Sequence, residues 1–194
     1  MQIAKMNCVL RGVPPWAVYL AGALPLAWVV WLGATGGLGI DPVKEIEHRL
    51  GKIGLWFLVA GLAITPLRRQ TGLSLLRQRR ALGLLAFFYV ALHAAVWLGL
   101  DMRLLWEQAA KDILKRPYLT AGMAALALLL PLALTSNDAS VRWLGQGWRK
   151  LHRLAYPAAI AAGVHYLWQT KADVTEPLIW LAAILGLLAL RLRR

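Results

Sequence analysis

Cysteine occurs once in the 194 residues, as Cys8. A lone thiol excludes an internal disulfide and any multi-cysteine metal site. Acidic residues are also scarce, nine against 22 Lys and Arg, and charged residues make up only 16% of the chain. With 59% hydrophobic residues, so little charge excludes an ordinary soluble domain of this length. Several motifs are missing too. There is no GxGxxG turn after a strand, no P-loop and no HExxH. Any nucleotide chemistry must therefore come from a partner. The longest loops, 101–117 and 135–153, are too short to hold a soluble domain.

What is present is a set of apolar segments with basic flanks. Six are found, at 16–35, 51–66, 81–100, 118–134, 154–168 and 177–190. Some fall short of the roughly 20 residues that cross a bilayer core, but flanking Trp, Tyr, Arg and Lys extend a span by snorkelling. The first holds Trp28 and Trp31 and ends in glycine-rich sequence without a small-x-small cleavage site. It reads as a helix rather than a removable signal. The expected fold is an all-α, six-helix membrane bundle.

The loops orient that bundle. One alternating set holds Lys5, Arg11, Arg68, Arg69, Arg77, Arg79, Arg80, Arg142, Arg149, Lys150, Arg153, Arg191, Arg193 and Arg194 against a single acid, Asp138. The other set balances eight basic residues with eight acids, so the whole net charge of +13 falls on one side. Basic loops stay cytoplasmic, which predicts both termini inside. A nucleic-acid reading of the charge is poor, because the basic residues flank long apolar runs.

Polar side chains within such segments are costly and call for a use. His93 lies 13 residues beyond Arg80, and His165 lies 12 beyond Arg153. At 1.5 Å per residue both sit roughly 18–20 Å from the cytoplasmic edge, on helices that run parallel. Two imidazoles at one level are what a b-type heme needs on its two faces. Ala91, Ala94 and Ala95 surround one, and Ala161, Ala162 and Gly163 precede the other. Small residues leave room for a macrocycle, and they equally suit close helix packing around histidines that only bridge helices. His152 lies about 20 Å before His165 along a helix, the spacing of a second, inner heme level. On an ideal helix the two would point about 140° apart, with Pro157 between them to change the register. His48, on the outer side, reads as a loop or helix-start residue.

The stretches "DPVKEIEHRLGKIGLWFL", "ITPLRR", "RRALGLLAFFYVALH", "KRPYLTAGMAALALLLPLALTS" and "WRKLHRLAYPAAIAAGVHY" occur in that order. Together they resemble the MsrQ family, heme-binding membrane subunits of protein-methionine-sulfoxide reductase systems within the ferric-reductase-like transmembrane class. The resemblance implies a single transmembrane heme-binding domain over 1–194, in a bacterial inner membrane. It implies one b heme or two, with His93, His152 and His165 as heme-linked histidines, and flavin mononucleotide as a further cofactor. It also implies electron delivery to MsrP, a periplasmic molybdopterin enzyme that repairs oxidised methionine. Relatives among the oxidases carry two histidines on the third helix. This chain has one, and Arg79 and Arg80 stand at the inner level instead.

The residues fit that role. Without a dinucleotide domain, electrons must come from quinol or a separate flavin reductase. Arg68, Arg69, Arg77, Arg79, Arg80, Arg149, Lys150 and Arg153 could hold a flavin phosphate or face the donor. They serve equally as topology and lipid-headgroup contacts. Trp143 and Trp148 could stack on an isoalloxazine ring or anchor the interface. On the outer side, "DMRLLWEQAAKDILKRPYLT" can form an amphipathic segment that lies on lipid or docks the partner. The other class of function is a small transporter or channel subunit using His93 and His165 for protons or metal ions. No carboxylate within the six segments and no visible internal duplication support it.

Overall fold

The computed structural model describes residues 2–192. Arg193 and Arg194, counted above in the basic C-terminus, lie outside the described residues. The described chain is helical, in two compact units. The first ends at Asp101 and the second is Met102–Leu192.

The first unit is built from α1 (Gln2–Gly12), α2 (Pro15–Ala34), α3 (Pro42–Thr71) and α4 (Arg79–Val96). Pro14 and Pro15 separate α1 from α2, with Pro15 at the first helical position, where its missing N–H costs nothing. α3 extends past the apolar segment 51–66 at both ends. Asp41 caps it, accepting from the Lys44 N–H at 3.3 Å, and Pro42 opens the first turn. Glu45 pairs with Arg49 at 2.7 Å one turn on, and Arg68 and Arg69 face the negative end of the helix. Gly72, at φ 75°, closes α3 in the left-handed conformation that glycine takes without strain. Thirty residues at 1.5 Å make α3 about 45 Å long, more than a bilayer core needs.

α3 and α4 pack closely as an antiparallel pair, and α2 lies against both. The core gathers Val29, Leu50, Ile53, Leu85 and Tyr89. Tyr89 does more than fill space. Its hydroxyl donates to the Gly22 carbonyl at 2.6 Å and accepts from the Leu26 N–H at 3.1 Å. In a straight helix those two groups would bond to each other. A side chain from α4 is thus inserted into the α2 ladder beside Pro25, a site where helices bend. α1, which precedes the first apolar segment, is a helix tied to the 72–78 segment. Asn7 donates to the Gly72 carbonyl and accepts from the Ser74 N–H, and Gln78 donates to the Leu10 carbonyl.

The second unit opens with α5 (Trp106–Lys115), the amphipathic segment expected there. Glu107–Lys111 and Asp112–Arg116 pairs line its polar side, and Leu105 and Leu114 are exposed. α6 (Pro117–Leu134) runs antiparallel to α9 (Ala155–Gln169), and α10 (Thr175–Leu192) packs on α9. Between α6 and α9 lie two short helices, α7 (Asp138–Leu144) and α8 (Gln146–Leu151), broken at Gly145. A 3₁₀ turn, His152–Leu154, then leads into α9. Pro157 sits in the first turn of α9, where it is tolerated, so it does not kink a helix running from His152 to His165.

Among the described residues four stretches are long and apolar enough to cross a membrane: Pro15–Ala34, Pro42–Thr71, Leu76–Asp101 and Pro117–Leu134. α9 and α10, with 15 and 18 residues, coincide with the fifth and sixth apolar segments. Trp16, Leu20, Leu24, Trp28 and Trp31 of α2 are all more than half exposed. Such a row is untenable in water and natural against lipid.

Candidate functional site

Each unit holds one of the two deep histidines, and each is held in the same way. His93, near the end of α4, places Nδ1 2.8 Å from the Glu47 carbonyl of α3. His165, on α9, places Nδ1 2.7 Å from the Tyr118 carbonyl of α6. A carbonyl oxygen only accepts, so Nδ1 carries the proton in both rings and Nε2 presents the lone pair. That tautomer is the one a metal-bound imidazole adopts when a second group orients it.

The backbone behind each ring is alike as well. Glu47 and Tyr118 are each followed four residues on by a glycine, Gly51 and Gly122. A Cβ built on Gly51 would lie 3.2 Å from His93 Nδ1, and one on Gly122 only 2.8 Å from His165 Nδ1. A side chain that reaches a helical carbonyl from outside passes over the residue one turn later. Only glycine leaves that path open here. The small residues expected to make room lie beside the histidines in sequence, whereas these glycines lie on the facing helices. Gly163, one of those small residues, instead packs against Leu181 and Ile184 of α10.

His152 lies in the turn before α9, so the ideal-helix angle to His165 does not apply. Its Nδ1 is 3.0 Å from the Trp148 carbonyl, which fixes the same tautomer. The imidazole stacks on the Trp148 indole, centroids 3.7 Å apart and planes 23° apart. Trp148 in turn donates from Nε1 to the Thr135 carbonyl at 2.8 Å, tying this turn to the end of α6. One face of Trp148 is therefore already covered by His152. Trp143 is 85% exposed and can still anchor at an interface or stack on a ligand.

The basic candidates fall at helix starts and turns. Arg79 and Arg80 open α4 in the first unit, while Arg149 and Arg153 flank His152 in the second. All four are exposed. His48 lies in the second turn of α3, next to Glu47. Among the described residues no cluster of three or more His, Cys, Asp or Glu is gathered. Each histidine is thus a single nitrogen donor, the donor set that suits an axial position on a macrocycle rather than a cage around a bare ion.

Residues 44–163 match the family described as Ferric reductase like transmembrane component, and the chain belongs to that family. With its apolar helices, this makes it a multi-pass membrane protein. The matched stretch contains His93 and His152 and ends two residues before His165. Over 179 residues, 92% of this chain and 81% of each relative, it is 49% identical to proteins of Brucella ovis, Brucella canis and Brucella suis. All three are named Protein-methionine-sulfoxide reductase heme-binding subunit MsrQ. No solved structure matches the chain.

Proposed function

We propose that the chain is a six-span b-type cytochrome subunit, a single heme-binding domain with both termini in the cytoplasm. It carries electrons from a cytoplasmic-side donor, quinol or a flavin reductase, to a periplasmic methionine-sulfoxide reductase of the molybdopterin type, MsrP. His93 and His165 are the residues that would hold the outer heme. The observation that carries this reading is the shared clamp on the two imidazoles. Each is oriented by a backbone carbonyl at Nδ1, and each offers Nε2. The names of the relatives, heme-binding subunits of a sulfoxide reductase, agree with it.

Heme iron, when bound, changes oxidation state with little motion and so relays an electron through a layer that no ion crosses cheaply. The residues of this chain supply ligation and orientation. The Nδ1–H bonds to the Glu47 and Tyr118 carbonyls raise the basicity of both ligands, which favours the ferric state. His152, held by Trp148, would hold a second heme on the inner side, where no second histidine stands at that level. Arg79, Arg80, Arg149 and Arg153 face the donor, and they offer the charge that a flavin mononucleotide phosphate would require.

The test begins with the purified protein. A Soret band that shifts on dithionite reduction, with heme counted by pyridine hemochrome and flavin by release, is the expected result. His93→Ala and His165→Ala should each abolish the same low-spin signal, since a six-coordinate iron needs both. A colourless protein would sink the reading in favour of a transporter or channel subunit. A full wild-type low-spin spectrum in either variant would show that the two are not paired.

A further inference from the structure

We propose that Gly51 and Gly122 are positioning residues for the axial imidazoles, so that the missing side chain on each facing helix sets ring orientation and Nδ1 hydrogen bonding. The proposal rests on the heme reading above and adds to it a pair of residues that touch no iron.

Three observations converge. First, the same triple occurs in both units: a carbonyl at one position, a glycine four residues later, and a histidine 46 or 47 residues after the carbonyl. Second, the contact falls on the same ring edge in both cases. A Cβ on Gly51 would meet His93 Nδ1 at 3.2 Å and Cε1 at 3.4 Å, and one on Gly122 would meet His165 Nδ1 at 2.8 Å and Cε1 at 2.9 Å. Third, that edge carries the N–H bonded to the carbonyl, at 2.8 Å and 2.7 Å. A methyl group at either glycine therefore cannot be accommodated by the far end of a flexible chain. It must push the ring, and any tilt of the ring lengthens the Nδ1–H···O bond and turns the Nε2 lone pair away from its axis.

The two sites differ in degree. At 2.8–2.9 Å something must move, whereas at 3.2–3.4 Å a few tenths of an ångström suffice. Gly122→Ala should therefore act more strongly than Gly51→Ala. Other glycines provide the controls. A Cβ on Gly54, one turn along α3, would meet Val90 at 2.9 Å and Tyr89 at 3.3 Å before anything else. A Cβ on Gly61 would meet nothing within 4 Å. Gly54→Ala thus presses on Val90 and Tyr89 between α3 and α4 rather than on the ring edge, and Gly61→Ala chiefly changes backbone propensity.

The experiment compares these four variants as purified holoproteins by low-temperature electron paramagnetic resonance, redox titration, heme affinity and thermal melting. Gly122→Ala should shift the low-spin g values, raise the midpoint potential as the ligand loses basicity, and weaken heme affinity by roughly tenfold, the low end for losing support of a metal-bound histidine. Gly51→Ala should move the same quantities in the same direction by less. Gly54→Ala should lower the melting temperature and leave g values and potential unchanged, and Gly61→Ala should match wild type. If Gly122→Ala does not accumulate with heme, Gly51→Ala against Gly54→Ala decides. Wild-type g values and potential in the glycine variants, or an equal shift in Gly54→Ala, would overturn the proposal. The heme reading itself stands or falls separately, on whether His93→Ala and His165→Ala lose the low-spin signal.

Discussion

A histidine in an apolar segment is legible because it is expensive, and His93 and His165 stood out in the sequence for that reason, while His152, just before the fifth segment, stood out by its spacing from His165. What held them did not. The Glu47 and Tyr118 carbonyls carry no residue signature, and the glycines lie 42 and 43 positions before the histidines they support, on another helix. Only the pairing of α3 with α4 and of α6 with α9 brings them together. Trp148 was legible as an aromatic and not as the support of His152, because stacking across a turn depends on where α9 begins. His152→Ala should lower heme content by pyridine hemochrome while leaving the outer low-spin signal in place. Unchanged stoichiometry with slower reduction by quinol would instead assign His152 to the donor site. Tyr89 gives a second prediction at this scale. Tyr89→Phe keeps the ring against Phe57, 5.6 Å away, but removes the hydroxyl between Gly22 and Leu26. Losing that bridging hydroxyl costs up to about 1–3 kcal/mol, less whatever α2 recovers by closing the Leu26 N–H on the Gly22 carbonyl. A thermal melt in detergent should show the variant less stable, with its heme spectrum intact.

Apolar segments marked the helices well where hydrophobicity bounded them. The 118–134 and 154–168 segments agree with α6 and α9 to within a residue. Where charge bounded them they were marked badly, because hydropathy ends at the first charged residue and a helix need not. α3 runs on through Glu45, Arg49, Arg68 and Arg69, all placed where they stabilise a helix. α1 was missed for a related reason. Its helix is secured by Asn7 and by Gln78, polar contacts more than 60 residues apart in sequence. The start of α3 is also sensitive to pH. The Lys44 N–H, then the Lys44 ammonium at 3.1 Å, hold the Asp41 carboxyl below the usual carboxylate range. A depressed folded value means that the cap stabilises above the ordinary carboxylate range and is lost as pH falls through the lowered value. Amide exchange at Lys44 should therefore be protected at neutral pH and lose protection in acid. In Asp41→Ala that acid-dependent loss should vanish, and if it persists the cap is not its source.

For the whole molecule, the charge asymmetry makes the most exposed claim. On the six-span reading, fourteen basic residues against one acid fall on one set of loops, which predicts both ends inside. Reporter fusions at the C-terminus and at Asp173 should then report opposite sides of the membrane, and the same side for both would refute six spans. No internal duplication could be read from the sequence, because the resemblance between the units lies in a backbone acceptor, a missing side chain and a ring. These three positions per unit leave little trace among the surrounding apolar residues. Synthesis adds a consequence of the Tyr89 insertion. The ribosome makes Leu26 some 63 residues before Tyr89, so α2 is complete while its bridging hydroxyl does not yet exist. Until then the Leu26 N–H has only its own helix to bond, the Gly22 carbonyl one turn before. The Tyr89 bridge is then an event of assembly, made when α4 arrives and its hydroxyl takes up both the Gly22 carbonyl and the Leu26 N–H.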